Sequence, residues 1–137
     1  MANYVSSRIT IDSAKINRIT AAASKALGMT ADAMLSQMVN KQVIPFEQGT
    51  LQNSGSVDYT KQNQGSVEIR FITPYARRLY FHPEYHFHRE AWKRRDGRLV
   101  GGNKNAGGKW MEPWISGKYK DFCRKAYMRF LKKEGGL

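Results

Sequence analysis

The feature that most constrains this chain is an apolar stripe at helical spacing through its first third. Ile16, Ile19, Ala23, Ala26 and Leu27 fall three and four residues apart, and Met34, Leu35, Met38, Val39 and Val43 resume the pattern. Such a stripe gives one helix face to a core and demands a second apolar surface to cover it. Asp12 or Ser13 supplies the short side-chain oxygen that caps a helix start. Gly28 interrupts the stripe and Thr30 offers a fresh cap, so the spacing predicts two helices or one long helix kinked near Gly28. Pro45 disfavours helical backbone at Ile44 and sets the stop.

The covering surface is expected from strands. Val5, Ser7, Ile9 and Ile11 alternate with Ser6, Arg8 and Thr10, the period-two pattern of a half-buried strand. Val57 and Tyr59, the polar turn Lys61–Gly65, and Val67, Ile69 and Phe71 read as an antiparallel hairpin that the first strand extends. Tyr75, Ala76, Leu79 and Tyr80 suit a short helix that carries Arg77 and Arg78 outward. From residue 82 to 109 periodicity is lost, apart from a possible turn near Glu90–Arg95. Four glycines lie among the eight residues Gly101–Gly108, and a segment of this kind inside a compact domain is usually functional or disordered. Ile115, Tyr119, Phe122, Ala126 and Phe130 then give a C-terminal amphipathic helix. Lys132 and Lys133 suit its negative end, and Gly135 suits its cap.

The resulting expectation is a single α+β domain over residues 1–137. Its order is an N-terminal strand, a long helix, kinked or split, an antiparallel β-hairpin, a long basic Gly-rich loop and a C-terminal amphipathic helix. Residues 1–73 form the helix and small sheet, 82–109 the long insertion loop, and 110–137 the last helical unit. At 137 residues the chain is long enough to hold a core without disulfides or metals. Its single cysteine, Cys123, fits a reducing compartment. The opening residues do not read as a signal peptide, and no apolar run is long enough for a membrane span.

Charge separates the chain into two parts. Lys and Arg number 23 against 11 Asp and Glu, a net of +12. Residues 1–73 carry only +2 of it, and residues 74–137 carry +10 together with 12 of the 16 aromatics. Basic and aromatic residues in one region compose a contact surface for a polyanion or an acidic protein. The same composition also fits aromatics in a core with charges on its solvated reverse side.

Catalytic patterns are weak. His82, Glu84, His86 and His88 have spacings that converge on a metal, but no cysteine lies nearby, and Pro83 and the interleaved aromatics read as loop packing. Cys123 adjoins the apolar stripe of the last helix and reads as a buried thiol. No phosphate-binding loop or dinucleotide fingerprint is present. The expectation is therefore a non-enzyme with neither metal nor cofactor. Arg89, Lys93, Arg94, Arg95 and Arg98, with Phe87 and Trp92, combine phosphate-pairing charges with rings that stack on bases. A nucleic-acid-binding module using loop 87–98 is thus one reading, and a basic loop docking on an acidic protein is another.

Three short motifs carry a family resemblance. Pro45-Phe46-Glu47-Gln48-Gly49-Thr50-Leu51-Gln52-Asn53-Ser54-Gly55 resembles the Pro-x-Asp-x-Gly-x-Leu-x-x-Ser segment of phage minor capsid and tail-completion proteins. Glu47-Gln48 stands where that segment more often has Asp followed by Thr. Tyr75-Ala76-Arg77-Arg78-Leu79-Tyr80 resembles their Tyr-Ala-x-x-x-Tyr segment, and Gly107-Gly108-Lys109-Trp110 their Gly-rich run before a Trp. Pro45, Gly49, Leu51, Ser54, Gly55, Tyr75, Ala76 and Trp110 are the residues that match.

The resemblance implies a non-enzymatic protein of the virion neck, built in the host cytoplasm. It implies a homo-oligomeric ring, sixfold or twelvefold, that joins head to tail. Its partners would be neighbouring neck and tail-tube proteins, with DNA passing through the lumen. Arg77, Arg78, Arg89, Trp92, Lys93, Arg94, Arg95 and Arg98 are the expected assembly residues.

Overall fold

A computed structural model describes residues 5–45, 50–85, 87, 89, 90, 92, 93, 95, 97, 99, 100 and 102–137. The apolar stripe becomes one continuous helix, α1, Ser13–Asn40, of 28 residues and about 42 Å. Asp12 caps it, its side chain accepting from the Lys15 amide at 3.0 Å. The expected break is absent. Thr30 is buried inside the helix, and its hydroxyl donates to the Ala26 carbonyl at 2.7 Å instead of starting a new turn. Gly28 is a point of close approach: a Cβ there would lie 2.5 Å from Gln62 Nε2 and 3.4 Å from the Tyr59 ring. The missing side chain admits a neighbouring element without bending the helix.

That element is the expected hairpin. Strands β1, Gly55–Asp58, and β2, Glu68–Phe71, pair antiparallel with Gly55 opposite Phe71 and Asp58 opposite Glu68. A short helix α2, Thr50–Asn53, leads into β1, and a 3₁₀ turn at Gln62–Gln64 forms the tip. The hairpin lies along the second half of α1, with its root against Leu35 at Gly55. Its tip reaches back, Gln62 Nε2 donating to the Ser24 carbonyl at 2.7 Å, and the Tyr59 hydroxyl meets Asp32.

The first strand is a correction. Residues 5–12 form no strand, and Val5 and Ile9 are 101% and 88% exposed. The first six residues of α1 are exposed as well, so this end of the molecule projects from the body. The hairpin docks on the far half of α1, beyond the reach of the patterned segment, which leaves it without a sheet.

Helix α3, Ala76–Tyr80, buries Ala76 and exposes Arg77 and Arg78, as the spacing predicts. The C-terminal unit begins with α4, Glu112–Ile115, and ends with α5, Phe122–Gly135. Here Ile115 is exposed and Tyr119 lies in the turn, so the helix starts later than its stripe suggests. Helix α5 packs antiparallel on α1: Cys123 Sγ lies 3.5 Å from Met34 Sδ and Glu134 pairs with Lys25 at 2.9 Å. Gly135 is the last helical residue and packs near Ala22. The left-handed cap is Gly136, φ +67°, one residue beyond the expected one. Lys132 and Lys133 occupy the last turn, where cations favour the helix dipole.

The core gathers Met38, Ile44, Leu51, Ala76, Trp110 and Trp114, ringed by half-buried Leu35, Val39, Ile69, Phe71 and Tyr80. Trp110 stands edge-on to Phe71 at 5.5 Å and to Tyr80 at 4.9 Å, a geometry that adds to its area burial. The architecture is α+β: a long helix, a two-stranded antiparallel hairpin and a C-terminal helix. Among the described residues, no helix is long and apolar enough to cross a membrane.

Candidate assembly interface

The basic loop expected over residues 82–109 divides into two parts of different character. Its Gly-rich end is a strap sewn to the end of α1. After Lys41 the backbone turns through Gln42 at φ +56°, a conformation unfavourable for a side-chain-bearing residue. The strap offsets that strain. The Asn105 amide donates to the Gln42 carbonyl at 3.0 Å and the Gly107 amide to the Val43 carbonyl at 3.3 Å. The Lys104 amide donates to Gln42 Oε1 at 3.0 Å, and Asn105 Nδ2 to the Lys41 carbonyl at 2.8 Å.

Asn103 holds the strap from inside. Only 8% exposed, it donates through Nδ2 to the Ile44 carbonyl and to Gln52 Oε1, each at 2.7 Å. Ala106 is fully buried beside it. Gly108 crosses Pro83 so closely that a Cβ would lie 2.7 Å from Pro83 Cα, and the Lys109 amide donates to the Tyr80 carbonyl at 2.7 Å. The segment has no regular secondary structure, yet its polar groups are tied down. Buried backbone polar groups need partners, and the strap and the end of α1 supply one another's.

The other part, towards the middle of the loop, holds a short strand pair. Strands β3, Trp92–Lys93, and β4, Leu99–Val100, pair antiparallel, Trp92 opposite Val100 and Lys93 opposite Leu99. Lys93 and Arg95 are exposed on this finger, and Gly97 turns its tip at φ +87°. Arg89 ties the finger's base to the strap, its Nε donating to the Ala106 carbonyl at 3.0 Å. Arg94 and Arg98 lie outside the described residues, as do His86, His88 and Gly49.

Arg77 and Arg78 form a separate cationic group on α3. Arg78 Nε donates to the Tyr85 hydroxyl at 3.1 Å, which favours the charged guanidinium and pushes its pKa up. Tyr85 stacks on His82 at 4.8 Å. His82 in turn meets Glu84 through Nδ1 at 2.7 Å, and that bond holds the Glu84 carboxyl below its usual range. Arg77 lies 6.0 Å from the centre of the Phe81 ring. Among the described residues, no cluster of three metal-ligating side chains occurs. Cys123 is half-buried, and burial pushes its thiol pKa up, away from the reactive thiolate.

One basic site escaped the sequence reading. Beside the strap is a cleft of about 480 Å³ lined by Lys41, Gln42, Lys104, Asn105, Lys118 and Tyr119 among others. The Lys41 and Lys118 ammonium groups lie 4.4 and 5.5 Å from the Tyr119 ring centre. These lysines are scattered along the chain, and only the strap brings them together. Among the described residues, carboxylates pair with Lys25, Arg70 and Arg124 alone of the lysines and arginines.

The residues that carry the family resemblance have a different fate. Pro45, Leu51, Ala76 and Trp110 are buried. The Ser54 hydroxyl donates to the Leu51 carbonyl at 2.7 Å, and a Cβ on Gly55 would lie 2.8 Å from the Phe71 ring. Tyr75 is exposed. Three motifs distant in the chain thus meet mainly in the packing around the hairpin root. No family model matches the chain, and neither does any curated protein or solved structure.

Proposed function

We propose that this chain is a non-enzymatic assembly subunit of a tailed-phage neck, a minor capsid or tail-completion protein that forms a ring and joins head to tail. The observation that carries the reading is the meeting of the resembling motifs. Leu51, Ala76 and Trp110, from three separate motifs, belong to one buried cluster, so the motifs act as parts of one packing unit. Around that unit, the basic finger, Arg77, Arg78 and the lysine cleft leave a broad positive surface. Long-range attraction steers such a surface onto an acidic partner and sets its orientation. Neighbouring neck subunits and the tail tube are the partners proposed, with DNA passing through the lumen and the virion neck as the site of residence.

Replacing Arg94, Arg95 and Arg98 by Ala tests the role of the finger. Folding is expected to be intact and joining of heads to tails defective; normal phage yield would remove the finger from the mechanism. A nucleic-acid role for the same residues predicts binding to DNA that weakens steeply as salt rises. Binding of that kind, with joining unimpaired, would favour this alternative.

A further inference from the structure

The exposed segment Val5–Ile11 keeps the pattern of a strand and has no sheet. Val5, Ile9 and Ile11 are 101%, 88% and 69% exposed, while Ser6, Arg8 and Thr10 alternate with them. A segment patterned for one apolar and one polar face gains stability only when the apolar face is covered and the backbone groups are paired.

Its own hairpin is out of reach. The β1–β2 ladder lies beside residues 28–35 of α1, as the contacts of Gly28 with Tyr59 and of Leu35 with Gly55 place it. Those residues stand about 24–35 Å along the helix from Asp12. Seven extended residues span about 23 Å. Even folded sharply back along α1, Val5–Ile11 ends where the ladder begins.

The same chain carries the complementary vacancy. Its main sheet has two strands only, so among the described residues both edges are unpaired. Among the described residues, no backbone group of residues 67–72 is hydrogen-bonded to backbone outside the β1–β2 ladder, so the β2 edge is open. Downstream of β2, Ile72, Tyr75 and, after α3, Phe81 are 71%, 45% and 57% exposed. An unpaired edge strand is a template for another chain.

We propose that Val5–Ile11 is an intersubunit strand that adds to the β2 edge of a second copy of this chain. Ile9 and its apolar neighbours extend the core face of the sheet, beside Ile69 and Phe71. Giver and receiver are different surfaces, so the contact is heterologous: each copy donates one arm and receives one, and repetition closes a ring. A stable contact covers roughly 800 Å² per partner, so the arm is expected to engage the exposed residues that follow β2 as well as its edge. The inference deepens the ring reading above and rests on it for closure.

The test places a photo-crosslinking benzoylphenylalanine at position 9 in light protein mixed with heavy-isotope protein. Cross-links from light position 9 to heavy peptides spanning residues 66–72 are expected. Only light–light links to that peptide would show that the arm folds on its own hairpin, and would overturn the proposal. In parallel, Ile9→Asp and Arg8→Pro are expected to weaken self-association at least about tenfold, with helical circular dichroism unchanged. Self-association equal to the unmodified chain's, or an unmodified chain that stays monomeric at its solubility limit, would also overturn it. Head-to-tail joining separates the two claims. If joining requires the chain while arm variants still self-associate, the arm proposal alone falls. If the cross-links form but joining proceeds without the chain, the neck reading alone falls.

Discussion

The strap, residues 102–109, and the finger, 92–100, are neighbours in one basic, glycine-bearing loop, yet they are held in opposite ways. The strap returns its backbone polar groups to the end of α1 and buries Asn103 and Ala106. The finger has a two-residue ladder and an Arg89 tether at its base. The difference separates the part of the loop that serves the fold from the part that stays open at the surface. Side chains in the strap act on stability, and the proposed function assigns those on the finger to partners. Trp110 directly after the strap belongs to the first class, and the proposed arm Val5–Ile11 would join the second.

The largest expected effect breaks the strap's anchorage. Trp110→Ala removes a ring packed between Phe71 and Tyr80, and should cost about 3–5 kcal/mol in denaturant unfolding. A loss below about 1 kcal/mol would show that the aromatic cluster is not the core. Next comes Asn103→Leu, which leaves the buried Ile44 carbonyl without its donor. It should cost about 1–3 kcal/mol and raise hydrogen exchange at the Asn105 and Gly107 amides. Unchanged protection there would separate Asn103 from the strap.

A smaller effect follows pH. Burial raises the Cys123 pKa above the ordinary thiol value, so the folded state holds its proton longer than the unfolded chain does. The stability this contributes is fully present below the unfolded value and is lost as pH rises through the folded one. Unfolding free energy should therefore decline above pH 9.0, and Cys123→Ala should flatten that decline. An equal decline in the variant would assign it to other groups. The smallest effect is on the finger: Lys93→Ala with Arg95→Ala should change stability by less than about 0.5 kcal/mol. A larger loss would merge finger and strap into one structural class.

Legibility in the sequence followed the same division. The stripe from Met34 to Val43, the hairpin residues Val57, Ile69 and Phe71, and the outward Arg77 and Arg78 were readable because periodicity records burial directly. Gly28 was not, since its reason is the approach of Gln62 and Tyr59 from a distant segment. The strap left no periodic trace because hydrogen bonds to backbone hold it, and its buried side chains are single residues between glycines. The lysine cleft depends on that strap and was hidden with it. Val5–Ile11 has the pattern of a strand, but alternation does not specify which sheet, or which chain, completes it.

The central claim is that this chain is a structural subunit at the junction of head and tail. Electron microscopy of particles assembled with and without it tests that claim most directly. The account predicts a ring of the chain at the neck of complete particles, and unjoined heads and tails when it is withheld. Complete particles that lack the chain would contradict it.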